Sequence, residues 1–378
     1  MRGKAAAIGS AQRFAFVDAT RGFAIVAALL AHAIDQFFAV YIPYLRPVTR
    51  IATPTFLVVF GVVIAVVYMR KARDLDDLTG MRTRLFARMI TCYVAFAAIS
   101  WAGYVGDKTP LDQVLDAMLM LDRGRYSFIL FLYTILLALL GLFLPLIVRW
   151  GALFFVGFAV LAWALRFGLS ALGAGGHPTA QMMFGHATGY GPAVMLSLSV
   201  VAVGVLIGEA LLNRSRWIWL GGIYLAMAAI LAATLAMDGP WLFFEGVTKS
   251  YRFGNHPAYF AYGVAGAMTA LALFWWLERR DVAPGTRRVL IDLGKRTLFL
   301  YTAGNIVLNL LPLHQPATAV SIAEVAVFML VMFGIALDLE RTDSRIDRAA
   351  NGLFSAFQRQ WDRSTLALAR VVTAPRGR

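Results

Sequence analysis

Runs of about twenty apolar residues with few charges recur along this chain, and at about 1.5 Å rise per residue each run is long enough to cross the ~30 Å hydrocarbon core of a bilayer as an α-helix. Inside lipid every backbone polar group needs a partner within the protein, which restricts such runs to helices or closed barrels. Twenty-residue runs without strict alternation select helices. Ten spans are expected, at residues 20–40, 51–69, 86–105, 127–148, 151–171, 192–212, 217–236, 258–277, 297–314 and 317–337. Composition agrees: 60% of the 378 residues are hydrophobic and 15% charged, whereas soluble domains lie nearer half and a quarter. A soluble enzyme, a disordered chain and a disulfide scaffold are thereby excluded. The single cysteine, Cys92, falls inside an apolar run, so one chain can build neither a disulfide framework nor a cysteine zinc site.

The net charge of +14 would suggest nucleic acid as the partner of a soluble protein, but here the basic residues sort by side of the membrane. One set of connections holds Arg70, Lys71, Arg73, Arg82 and Arg84, then Arg149, then Arg214 and Arg216, then Arg279, Arg280, Arg287 and Arg288. Arg2, Lys4 and Arg13 at the start and the arginines after residue 339 belong to the same side. The alternate connections carry few, among them Arg46, Arg50, Lys108, Arg123, Arg125, Lys249 and Arg252. Positive-inside bias predicts both termini in the cytoplasm of an inner-membrane protein, as an even number of spans requires. The first apolar stretch follows Arg21 and contains His32 and Asp35, which predicts a retained span and not a cleaved signal.

The expected organisation is a cytoplasmic segment at 1–19, a ten-helix domain at 20–338 and a basic tail at 339–378. Leu353, Phe354, Phe357, Trp361 and Leu368 recur near helical spacing among the tail's arginines, a pattern suited to an amphipathic helix on the inner leaflet. The 237–257 segment is expected to be an outer loop dense in aromatics, where Trp241 and Glu245 are candidate ligand contacts beside an ordinary interfacial aromatic belt.

Ionisable residues within spans are functional candidates, because a charge at the bilayer centre costs about 3 kcal/mol or more. Arg166, Glu209, Lys295 and Asp338 lie near span ends, where side chains can reach the interface. The first span is different, reading Asp18-Ala-Thr-Arg21-Gly22 and continuing through apolar residues to His32 and Asp35. Arg21 and His32 are eleven residues apart, about three turns plus 20°, so they share a helical face at a separation of about 16 Å. An extended pantetheine arm has comparable reach. Asp18 stands three residues before Arg21 and Asp35 three after His32, spacings at which each carboxylate can orient its neighbour.

These residues carry a resemblance. Asp18-Ala-Thr-Arg21-Gly22-Phe-Ala24, with ten residues between Arg21 and His32, resembles the opening signature of the membrane acyltransferase family 3. Three further stretches are similar to that family's landmarks: Thr53-Pro54-Thr55-Phe56 up to Gly61, the basic start of the third span at Arg82, Arg84 and Arg88, and Leu293-Gly294 through Thr297 to Tyr301. Gly304 stands where the family's last element has a histidine. Phe60-Gly61 through Lys71 and the stretch from Asp122 to Pro145 look more like the succinyltransferases of osmoregulated periplasmic glucans, while heparan-glucosaminide-type acetyltransferases share the opening motif, so the subfamily stays open.

The resemblance implies an acyl-CoA-dependent enzyme that moves an acetyl- or succinyl-type group from cytoplasmic acyl-CoA to a hydroxyl, usually of a carbohydrate or glycan, on the outer side. Neutral His32 would then be the general base, with Asp35 behind it, and an acyl-histidine would be a variant of the same route. Arg21, Arg84 and Arg88, with Asp18 orienting Arg21, would hold the coenzyme's phosphates. Asn305, Asn309 and Glu324 are candidates for the acceptor side. The other histidines, His177, His186, His256 and His314, fall in connections without helical ligand spacing, so no metal is expected. A transporter or flippase for an acidic or glycolipid substrate is the competing class, using the same buried charges with no bond made or broken. The polar pattern of the first span does not recur in the second half, which disfavours the internal repeat common among transporters.

Overall fold

The computed structural model describes residues 14–38, 41–69, 75–171, 178–185, 191–213, 216–312 and 318–341. The segment before Phe14, the tail after Arg341, the basic trio Arg70, Lys71 and Arg73, and His177, His186 and His314 lie outside the described residues. In chain order the elements are α1 (Ala15–Phe37), α2 (Arg46–Arg50), α3 (Ala52–Val63) with a π-helical extension Ile64–Met69, α4 (Leu75–Val105), α5 (Leu111–Met118), α6 (Phe128–Trp150), α7 (Ala152–Ala171) and α8 (Pro178–Phe184). There follow α9 (Val194–Leu212), α10 (Trp217–Glu245), a π-helical turn Gly246–Ser250, α11 (Tyr251–Phe253), α12 (Pro257–Arg279), α13 (Pro284–Lys295), α14 (Thr297–Leu310) and α15 (Thr318–Arg341). No strand occurs among the described residues.

Nine helical stretches among the described residues are long and apolar enough to cross a membrane, the architecture of a polytopic membrane protein. The ninth expected span, 297–314, corresponds to α14, which has 14 residues and so measures about 21 Å, short of a full crossing. The second span begins earlier than expected, at Arg46, because Pro47 opens α2 at a position where its missing N–H costs nothing.

The largest departure is at 237–257, which is mostly helical and not a loop. Gly239 takes φ 74°, a left-handed value open to glycine, and breaks α10 there. Pro240 then restarts the helix with its preset φ. The chain turns back through Gly246–Ser250, where the Thr248 carbonyl accepts hydrogen bonds from Tyr41 Oη at 2.7 Å and Arg50 Nε at 2.8 Å. That fold-back lays α11 over the end of the bundle that carries α2.

At the centre, α1 packs against α3, α12, α13, α14 and α15, while α3 lies along α9 and α4 along α6. Two-thirds of the apolar window of α1 is buried, against 6% for α10, which faces outward. Helices surrounded by lipid gain little from apolar burial against one another, so close approach depends on small residues. A Cβ on Gly61 would lie 2.2 Å from the Val201 carbonyl oxygen, and one on Gly204 would lie 2.1 Å from that of Val58. The α1–α13 crossing is tighter: Gly22 would meet the Leu290 oxygen at 1.9 Å and Gly294 the Asp18 oxygen at 1.9 Å. Two sequence landmarks far apart in the chain are thus the two sides of one helix crossing. It fixes the depth at which α1 holds its charged residues.

Candidate functional site

The polar residues of α1 divide between its ends. Near the N-terminus Asp18, almost fully buried, lies 3.7 Å from Arg21, so the carboxylate offsets and orients the guanidinium as the spacing of three residues implies. The α1 start is further anchored by Glu278, whose carboxylate accepts from the Phe16 N–H at 3.0 Å. Arg21 reaches a cavity of about 200 Å³. Arg88 on α4 lines the same cavity, together with Tyr68, Cys92 and Tyr133. Arg84 is exposed and lines neither cavity described here.

His32 lies near the other end of α1. Its Nδ1 is 2.7 Å from Asn305 Oδ1 on α14. The tautomer follows from the next bond out, in which Asn305 Nδ2 donates to the Tyr301 carbonyl at 2.8 Å. With the amide nitrogen committed, Asn305 Oδ1 can only accept, so His32 Nδ1 carries the proton and the Nε2 lone pair is free. The imidazole is held on two sides, stacked on Tyr126 with centroids 4.7 Å apart and met edge-on by Tyr301 at 5.9 Å. Tyr126 is in turn covered by Arg125, whose Nη2 donates to Gln36 Oε1 at 2.9 Å. Burial pushes the Tyr126 hydroxyl above the usual phenol range, so it stays protonated near neutral pH.

Asp35 does not orient the imidazole as its spacing suggests. Its carboxylate binds both Nη atoms of Arg46, a side chain only 4% exposed. The Arg46 fork is geometrically suited to a carboxylate, and α2 brings it within reach by folding back over the end of α1. Asn305, expected on the acceptor side, takes over the orienting role.

A second, smaller cavity of about 50 Å³ contains His32 and Asp35, with Arg46 and Arg50 from α2, Arg252 from α11 and Tyr259 from α12 on its walls. Phe56, Ile129 and Tyr301 line both cavities. One cavity therefore runs from Arg21 and Arg88 to these three side chains, and His32 stands on their far side. Trp241, 77% exposed, and Glu245 on the outward-facing α10 lie in neither cavity, nor does Glu324 on α15, whose buried Oε2 has no hydrogen-bond partner among the described residues. Asn309 serves packing, donating from Nδ2 to the Ile99 carbonyl at 3.0 Å. His256 accepts from the Ala258 N–H at 3.2 Å and caps α12.

Arg46, Arg50, Arg252, Tyr126 and Tyr301 were not singled out as site residues by the sequence. Arg46 and Arg50 were legible only as charges preceding a span, and Arg252 as part of the expected loop. No family model, curated protein or solved structure matches the chain.

Proposed function

We propose that this chain is an integral-membrane O-acyltransferase that takes an acyl group from cytoplasmic acyl-CoA and delivers it to a hydroxyl of a carbohydrate or glycan on the opposite side of an inner membrane, with both termini cytoplasmic. The observation that carries this reading is the pair of cavities meeting at Phe56, Ile129 and Tyr301, arginines at the far end of one and a histidine of defined tautomer in the other. A thioester donor needs anion-binding groups at its nucleotide end and a proton acceptor at its acyl end, about 16 Å apart along α1.

In this mechanism Arg21, set by Asp18, and Arg88 bind phosphate oxygens of the coenzyme, and the pantetheine arm occupies the larger cavity. The acceptor hydroxyl hydrogen-bonds to His32 Nε2. As its oxygen attacks the thioester carbonyl, the proton passes to Nε2, and the imidazolium keeps its Nδ1–H on Asn305 Oδ1. The tetrahedral adduct collapses, the C–S bond breaks, and the coenzyme thiolate takes the proton from Nε2. Ester and free coenzyme A result, and His32 returns to its starting form. No metal takes part in these steps.

The test uses full-length protein in lipid nanodiscs with acetyl-CoA and succinyl-CoA and a panel of oligosaccharides. Acceptor-dependent release of free coenzyme A is expected for at least one pair. Oligosaccharide or lipid movement across vesicles without any coenzyme A release would replace this account with transport.

A further inference from the structure

The smaller cavity has an excess of positive charge that the acyl-transfer steps above do not use. Three guanidinium groups, Arg46, Arg50 and Arg252, line it with one carboxylate, Asp35. Asp35 is committed to Arg46. Arg50 donates from Nε to the Thr248 carbonyl, and neither Arg50 nor Arg252 has a carboxylate partner among the described residues. The Nε atoms of Arg46 and Arg252 are buried without a hydrogen-bond partner among the described residues. Charges withdrawn from water are costly unless paired, and two elements far apart in the chain, α2 and α11, converge to hold these at one point.

We infer that the cavity beside His32 is a receptor for one oxyanion, a carboxylate or phosphate carried by a substrate, clamped between Arg50 and Arg252. This rests on the acyltransferase reading for its substrate but not for its chemistry. A volume of about 50 Å³ exceeds the roughly 10–15 Å³ that a cavity needs to hold one water, so a carboxylate or phosphate end can enter beside His32. Planar guanidinium forks suit such groups. Asp35 keeps Arg46 occupied, while Arg50, bonded through Nε to the Thr248 carbonyl, and Arg252, bonded to the Tyr259 side chain, have no carboxylate partner among the described residues and keep further donors for the ligand. The anion has two chemical sources: the free carboxylate of a dicarboxylyl thioester, or an acidic substituent near the hydroxyl of the acceptor.

Two measurements on full-length protein in nanodiscs test the inference. In the first, succinate and inorganic phosphate are titrated against sodium chloride of equal ionic strength while the melting temperature is followed. Either oxyanion should raise it in wild type, and half-saturation should weaken at least about tenfold in Arg252→Gln and in Arg50→Gln, the size expected for losing a charge-assisted hydrogen bond away from water. Arg252→Lys, which keeps the charge, should retain part of the effect and shows whether the glutamine variant merely misfolds.

In the second, coenzyme A release is compared for succinyl-CoA against acetyl-CoA with a neutral oligosaccharide, and for a phosphorylated against a neutral oligosaccharide with acetyl-CoA. A preference of about tenfold or more in the first comparison assigns the oxyanion to the donor, and in the second to the acceptor. An oxyanion-specific rise in melting temperature without coenzyme A release by any pair keeps the receptor and removes the transferase. Coenzyme A release with no preference in either comparison, and no oxyanion-specific stabilisation of wild type, overturns the receptor and keeps the transferase.

Discussion

At the scale of single residues, the chemistry depends on how His32 is held. Asn305 is a positioning residue: its amide, anchored on the Tyr301 carbonyl, selects the imidazole tautomer. Asn305→Leu removes the acceptor while roughly keeping volume. Turnover should fall about tenfold or more, the cost of one orienting hydrogen bond at a buried site, with the KM for acyl-CoA nearly unchanged. Nitrogen chemical shifts of His32 should report loss of the single tautomer. An unaltered tautomer in the variant would remove Asn305 from this role. Cys92 offers a second check, because it is the only cysteine in the chain and lines the cavity assigned to the pantetheine arm. Its modification by a small methanethiosulfonate should slow markedly when acyl-CoA is bound, and equal rates with and without the ligand would place the arm elsewhere.

At the scale of elements, the position of α1 depends on close helix contacts. Gly294→Val inserts atoms where the Asp18 carbonyl already stands, 1.9 Å from an ideal Cβ. Overpacking of this kind costs about 1–3 kcal/mol and would also displace Asp18 and Arg21. A lower melting temperature and weaker acyl-CoA binding are expected together. Gly285→Ala in the same helix meets nothing within 4 Å and should leave both unchanged or slightly raise stability. Equal melting temperatures for the two variants would show that the crossing is not tight. The elements also explain what the sequence could and could not disclose. Asp18, Arg21 and His32 stood out because charges interrupt an apolar run, a signal independent of tertiary structure. Arg252 did not, because Gly239-Pro240 has the composition of a turn, and only the packing of Thr248 against Tyr41 and Arg50 folds the chain onward as helix. Asp35 was legible as a charge but not as the partner of Arg46, since that pairing depends on α2 turning back over α1.

At the scale of the molecule, the account requires the two cavities to open toward opposite sides of the membrane, with the cytoplasm on the Arg21 side. Tags at either terminus should be reached only from the cytoplasm, and labels within 237–257 only from outside. Terminal labelling in intact cells would invert the orientation and with it the assignment of donor and acceptor sides. The helical pattern made the membrane architecture legible in advance, and the shortness of α14 was not, because the apolar sequence runs on through Leu311, Pro312 and Leu313 after the helix ends at Leu310. The most direct measurement of the central claim compares wild type with His32→Ala, both full length in nanodiscs, for acyl-CoA binding and for acceptor-dependent release of coenzyme A. General-base assistance is worth about 10² to 10⁴-fold, so release should fall by at least about 10²-fold while binding through Arg21 and Arg88 persists. A folded His32→Ala protein that releases coenzyme A at near the wild-type rate would contradict the account.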